Sequence, residues 1–335
     1  MGLKPIEDQV VVVVGASSGI GRETALEFAK KRAKLVVSGR SEVKLASLVD
    51  AIRNFGGEVI PVIADVAVFE QVKAIADKTV QVYGRLDTWV HVPATAVFAP
   101  FEQTTPEEFK RVIEVNLLGQ VYGAMAALPY LKREGRGALI HVSSVEGIRS
   151  LPLQSSYGAS KHGLEGCLES LRVELQHEKI PISVTSIKPS VMNTPFWDNA
   201  KTRLGVHPAG IPPYYDPRLV ADAIVYTASH PTRDFFVGDS GRILDFLQKL
   251  SPSFVDAILA QISFPLQRTQ EPKSAEDSNN LYEPVLTETR VDGDFSHSVI
   301  PAILDWVDKN PALKWGAIAS VALAFALTQG IRNNS

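Results

Sequence analysis

Tyr157 and Lys161 stand four residues apart in the stretch QSSYGASKHG, Gln154–Gly163. On a helix this spacing makes them neighbours on one face. A phenol with an ordinary pKa of about 10 is a weak base at neutral pH, and an adjacent ammonium favours its ionised form. The pair could therefore move a proton, although any helix face can carry an amphipathic Tyr and Lys at this spacing. A second candidate is the glycine-rich stretch GASSGIG, Gly15–Gly21, which directly follows the run Val10–Val14 and opens a helix. Backbone N–H groups at a helix N-terminus carry partial positive charge, suit a pyrophosphate, and can be approached closely where glycine lacks a side chain. The spacing is G-x-x-x-G-x-G, unlike the G-x-G-x-x-G dinucleotide fingerprint, and a ligand-free turn is the alternative. A third candidate lies at the end of the second strand, VVSGRS. It lacks the acid that holds a ribose 2′-hydroxyl in many NAD proteins. Arg40 could instead take a 2′-phosphate through paired charged hydrogen bonds, which favours NADP(H) over NAD(H). An ordinary solvated arginine is the other reading.

The elements that must position these residues alternate in period. Short β-branched runs occur at Val10–Val14, Leu35–Val37, Val59–Ile63, Thr88–Val92, Ala138–Val142 and Ser183–Ile187. Segments of helical periodicity lie between them at Ile20–Lys31, Val43–Phe55, Val68–Tyr83, Pro106–Arg133 and Ser156–His177. Strand–helix alternation predicts an α/β fold, a doubly wound Rossmann-type parallel sheet with helices on both faces. The nearly continuous apolar strands suit a sheet covered on both sides. Thr105 before Pro106 and Glu107 is a candidate N-cap. Beyond Pro189 the pattern loosens into a site-covering loop, followed by a helix at Pro217–Ser229 and an edge strand in RDFFVG. The polar stretch Arg268–His297 reads as linker. The predicted organisation is a dinucleotide-binding and catalytic domain over 1–250, a helical and polar extension over 251–312, and an apolar C-terminal helix over 313–331.

Composition narrows the class. The 335 residues are 45% hydrophobic and 21% charged, with a net charge of −3 and a pI near 6.2. That balance provides no basic face for nucleic acid. The single cysteine, Cys167, excludes an intrachain disulfide. No metal-ligand constellation stands out. The N-terminus has neither a secretory h-region nor a myristoylation pattern, so a cytoplasmic location is expected. Trp315–Ile331 is apolar and uncharged, at the lower length limit for a membrane span. It reads either as a membrane anchor through 315–331 or as a helix docked on the protein.

Together these residues resemble the short-chain dehydrogenase/reductase family over about residues 8–240. The resemblance rests on GASSGIG, ADV at Ala64–Val66, VNLLG at Val115–Gly119, HVSSVEG at His141–Gly147, YGASK at Tyr157–Lys161 and IKPSVMNT at Ile187–Thr194. It implies an oxidoreductase that interconverts an alcohol and a carbonyl by hydride transfer. The implied catalytic tetrad is Asn116, Ser144, Tyr157 and Lys161. Ser144 is chosen over Ser143 because it lies thirteen residues before Tyr157. Tyr157 would be the acid/base, Lys161 its tuning charge and a ribose contact, and Ser144 the holder of the substrate oxygen. Asn116 would keep a water in the proton relay. The implied cofactor contacts are Gly15, Ser17, Ser18, Gly19, Ile20, Gly21, Arg40, Asp65, Val66, Tyr157, Lys161, Pro189 and Thr194. The resemblance further suggests a hydrophobic, steroid-, retinoid- or lipid-like substrate and a homo-oligomer. Phe196, Trp197, Tyr214 and Tyr215 are candidate pocket walls. Three departures from the family pattern are Val14 before the first glycine, His91–Ala94 in place of Asn-Asn-Ala-Gly, and Ser190 in place of a glycine. A regulatory or scaffold protein on the same fold is the rival reading, as is epimerase or dehydratase chemistry.

Overall fold

The computed structural model describes residues 2–286, 289–305 and 309. In chain order the elements are β1 (Val10–Val14), α1 (Gly19–Lys30), β2 (Lys34–Gly39), α2 (Glu42–Asn54), β3 (Val59–Ile63), α3 (Phe69–Tyr83), β4 (Thr88–His91) and β5 (Val97–Phe98). There follow α4 (Pro106–Ile113), α5 (Gly119–Glu134), β6 (Gly137–Val142), α6 (Ser155–His177), β7 (Ile182–Pro189), α7 (Phe196–Asn199), β8 (Lys201–Thr202) and β9 (Val206–Pro208). The chain continues through α8 (Arg218–Thr227), β10 (Asp234–Val237), α9 (Asp239–Leu250), α10 (Pro252–Leu266) and β11 (Arg268–Pro272).

The main sheet is parallel throughout, in the order β10-β7-β6-β4-β1-β2-β3. Period-two alternation splits β1 between two cores. Val11 and Val13 pack with Phe28, Leu48 and Ile224 on one face. Val12 and Val14 pack with Ile75, Trp89 and Leu164 on the other. All four valines are fully buried, and burial of such a side chain stabilises by about 1.5–3 kcal/mol. Helices therefore cover both faces, as the unbroken valine run requires.

The order of the strands reverses between β1 and β4. Crevices at the carboxyl ends of strands open at such a switch point. The register brings these ends level, with Val14 opposite both Ser38 and His91, and Val142 opposite Ile187. Gly15, Arg40, Val92, Ser143 and Ser190 thus emerge along one edge.

Pro106–Glu134 forms one helical rod whose middle, Glu114–Leu118, widens into π turns. Thr105 caps it with a full capping box, accepting from Glu108 N–H at 3.2 Å while its own N–H donates to the Glu108 carboxylate at 3.1 Å. The rod is long and apolar enough to cross a membrane, but half of its most apolar window is buried inside the protein, as in a core helix.

Arg268–His297 is not a linker. β11 pairs antiparallel with β9, Lys273 is buried and donates to Ala200 O at 3.0 Å, and Leu281 is fully buried against Val97, Ala99 and Val112. The polar composition misleads because the core binds this segment largely through its backbone. The expected apolar helix over 313–331 lies outside the described residues.

Candidate active site

One continuous cleft runs along the carboxyl edge of the sheet. The glycine-rich turn forms its floor. Gly15 and Ala16 donate their N–H groups to Ser38 O at 2.8 and 2.9 Å, and Gly19 donates to Arg290 O at 3.0 Å. The N–H groups of Ser17, Ser18, Ile20 and Gly21 have no partner among the described residues, and Ser18 provides no side-chain cap to α1. Open donors at a helix N-terminus are what a pyrophosphate needs. Gly21 is obligatory, since a Cβ there would lie 2.1 Å from Gly15 O. The residues present therefore fit a dinucleotide.

At one end of the cleft stand Gly39, Arg40, Ser41, Lys44, Asp65 and Val66. Arg40 is not a solvated surface arginine. Its guanidinium donates to Asn280 O at 2.6 Å and Tyr282 O at 2.7 Å. A guanidinium has five N–H donors, so these two bonds leave others available. Asp65 accepts from Ala67 N–H at 3.0 Å and from Arg111 at 2.6 Å. Burial pushes its carboxyl up, but these two hydrogen bonds and the nearby guanidinium charges outweigh burial and hold it below the usual range. Lys44, in the first turn of α2, escaped the sequence reading because a lysine at that spot reads as solvated. It is 6% exposed, lines the cleft, and its ammonium has no partner among the described residues. Burial lowers its pKa.

At the other end α6 presents Tyr157 and Lys161 one turn apart, both buried. Lys161 Nζ lies 5.4 Å from the centre of the Tyr157 ring and donates to Val142 O at 3.0 Å. Ser144 sits just after β6, lines the cleft with Tyr157, and accepts from Glu146 N–H at 3.0 Å. Ser143 also lines the cleft, but its buried hydroxyl has no partner among the described residues. Pro189 and Thr194 line the same wall.

The electrostatics depart from expectation. Burial, reinforced by Glu146, raises the Tyr157 pKa, and the nearby Ser144 hydroxyl only partly offsets this. Phenolate is poorly solvated here, and the lowering expected from Lys161 is not among the causes of the shift. Burial pushes Lys161 down to about 8 against the pull of Glu165 and Glu146. Glu146, unnoticed in the sequence, lines the cleft and is pushed up to about 8 by burial.

Asn116 does not line the cleft. Its side chain lies in the π turns and clamps Thr95 from both sides, accepting from Thr95 N–H and donating to Thr95 O, each at 2.8 Å. It also donates to Ser160 Oγ at 3.2 Å. The departures from the family pattern are absorbed locally. A Cβ on Gly15, whose φ is +83°, would lie 2.8 Å from Pro93 Cγ, so that glycine makes room for the proline. His91 is a buried core residue, kept neutral chiefly by burial. Ser190 Oγ donates to Gly238 O at 3.1 Å and accepts from Gly241 N–H at 2.9 Å, fastening the start of α9.

Leu151, Val191, Phe196, Trp197 and Ile211 give the Tyr157 end an apolar wall. The Phe196 and Tyr157 rings meet edge to face at 5.7 Å. Tyr214 and Tyr215 do not reach the cleft. Tyr214 is buried and stacked on Phe295, and the Tyr215 hydroxyl accepts from Ser240 N–H.

Fold and site together define a doubly wound α/β protein whose cleft brings open N–H groups at one place and Ser144, Tyr157 and Lys161 at another. The profile of short chain dehydrogenases matches residues 9–204. An uncharacterised oxidoreductase of Bacillus subtilis, YxnA, is 38% identical over 84% of this chain and 80% of its own length. A 3-oxoacyl-[acyl-carrier-protein] reductase of Thermotoga maritima, FabG, is 32% identical over 67% of this chain and 92% of its own. The structure of an alcohol dehydrogenase from the archaeon Thermococcus sibiricus, complexed with 5-hydroxy-NADP, superposes with a TM-score of 0.61. The two are 25% identical over 68% of this chain and 95% of that one. The chain belongs to the short-chain dehydrogenase/reductase family, and it is an oxidoreductase acting on CH–OH groups with NAD(P).

Proposed function

We propose that this enzyme prefers NADP(H) and reduces a hydrophobic ketone or aldehyde, with Tyr157 as the proton donor. The observation that carries this reading is the single cleft that joins Arg40 and Lys44 to Tyr157 past the open N–H groups of the glycine turn. Two cations at the end of β2, with no acid to hold a 2′-hydroxyl there, favour a 2′-phosphate. The Thermococcus sibiricus enzyme, crystallised with an NADP derivative, supports the same choice.

A nicotinamide dinucleotide held along the glycine turn would supply or accept the hydride at the substrate carbon. The protein's own residues handle the oxygen. Ser144 hydrogen-bonds the carbonyl and holds it beside Tyr157. Burial keeps Tyr157 protonated, so its hydroxyl is ready to give its proton to that oxygen as negative charge develops. The Lys161 ammonium, held by Val142 O, stabilises the phenolate left behind until a proton is resupplied. Asn116 acts at a distance by fixing Thr95 on the cleft wall. The apolar wall around Phe196 and Trp197 favours an apolar substrate.

The test is oxidation of NADPH and NADH against a panel of hydrophobic ketones and aldehydes. Net NADPH consumption, with NADH much poorer, is expected. Binding of NADPH without any oxidation would support the scaffold reading, and turnover without net consumption would support an epimerase.

A further inference from the structure

The segment that follows β11 runs along the open side of the cleft. At the adenosine end of the proposed site, Arg40 donates to Asn280 O and Tyr282 O, Arg111 donates to Leu281 O at 3.0 Å, and Thr95 Oγ1 donates to Asn280 Oδ1 at 2.7 Å. Asn280, Pro284 and Val285 line the cleft directly. At the pyrophosphate end, Arg290 O accepts from Gly19 N–H, and the backbone of Gly293 passes so close that a Cβ would lie 2.6 Å from Thr194 O. Anchors away from the cleft hold both parts. Leu281 is fully buried, Asp292 pairs with Arg218 at 2.7 and 2.9 Å, and Phe295 stacks on Tyr214 at 4.4 Å.

The same residues that the cofactor reading assigns to the dinucleotide thus hold this strap. We infer that residues 279–286 and 289–295 form the outer wall of the dinucleotide site, and that the cofactor is retained by this strap and leaves only when the strap opens. The inference rests on the cofactor reading above. A wall on the fourth side excludes water from the adenosine half and adds contacts that a departing nucleotide must break. The similarity to YxnA spans 84% of the chain, so it necessarily reaches into this extension.

The test uses the full chain carrying Leu281→Ala with Phe295→Ala, two anchors that do not line the cleft. NADPH release is followed by stopped-flow displacement and nucleotide fluorescence. The expected result is release faster by about tenfold or more, the effect of losing roughly one contact of hydrogen-bond strength, with weaker binding to match. Release no more than about threefold faster, or tighter binding in the variant, overturns the inference. Hydrogen–deuterium exchange of the wild-type protein gives a second reading that does not depend on how the variant folds. NADPH should slow amide exchange in residues 279–286, and unchanged exchange there overturns the inference. A wild-type protein that binds no dinucleotide refutes the cofactor reading itself, an outcome distinct from both of these.

Discussion

Replacing Lys44 by methionine isolates the preference for the 2′-phosphate. Arg40 is the less informative target, because its guanidinium also holds Asn280 O and Tyr282 O, and its removal would loosen the strap. Lys44 has no such second task. Its stem is packed away, its ammonium has no partner among the described residues, and partial desolvation lowers its pKa. A partly desolvated cation without a counter-charge is a cost to the fold that a bound phosphate would remove. A hydrogen bond to a charged group contributes about 1.5–3 kcal/mol, which is about 10- to 150-fold in affinity. Methionine keeps the apolar stem, so Lys44→Met should weaken NADPH binding by about that factor and leave NADH within about twofold. The unliganded variant should melt no lower than wild type, since it loses a desolvated charge and no contact. Isothermal titration with each nucleotide, beside thermal melts, measures both effects. An equal loss for NADPH and NADH would show Lys44 to be a packing residue, and unchanged NADPH affinity would refute the phosphate contact outright.

Glu146→Gln tests the buried carboxyl beside Tyr157. The folded-state pKa of about 8 lies above the ordinary value of 4.5, so the unfolded chain releases this proton first and stability falls as pH rises between those values. The variant should match wild type near pH 4, below the unfolded value, and become progressively more stable towards pH 8, with a slope of up to about 1.4 kcal/mol per pH unit. Melting curves across that window check it, and a pH-independent difference would contradict the burial argument. Gly21→Ala places a Cβ 2.1 Å from Gly15 O and 2.7 Å from Gly15 C, backbone atoms with nowhere to go. It should lower stability by about 1–3 kcal/mol and abolish nucleotide binding in a fluorescence titration. Wild-type affinity in that variant would mean that the turn is looser than its geometry.

The layered fold was legible because its signals are local and redundant. The strands that the sequence marks read as apolar runs, and the inner ones are buried on both sides, whereas the edge strands β3 and β10 are partly exposed. The helix starting at Pro106 announces itself through Thr105. The residues at the carboxyl ends of the strands converge for a topological reason, so matching motifs in order located the cleft. The extension was misread because its hold is non-local. Arg40 binds carbonyls some 240 residues further along the chain, and carbonyls carry no side-chain signature. Lys44 looked solvated because only the packed fold shows that its stem and head lie against the cleft. Sequence shows that Lys161 is near Tyr157, but not how deeply the phenol is buried.

The central claim is that Tyr157 gives the proton. Tyr157→Phe keeps the ring that meets Phe196 edge to face and removes only the hydroxyl. The decisive measurement is NADPH oxidation by this variant with a ketone or aldehyde that the wild-type enzyme reduces, after nucleotide titration has shown the variant to be loaded. Loss of general acid catalysis predicts a fall in turnover of about 100- to 10,000-fold with NADPH affinity nearly unchanged. Turnover close to wild type in the loaded variant would contradict the account.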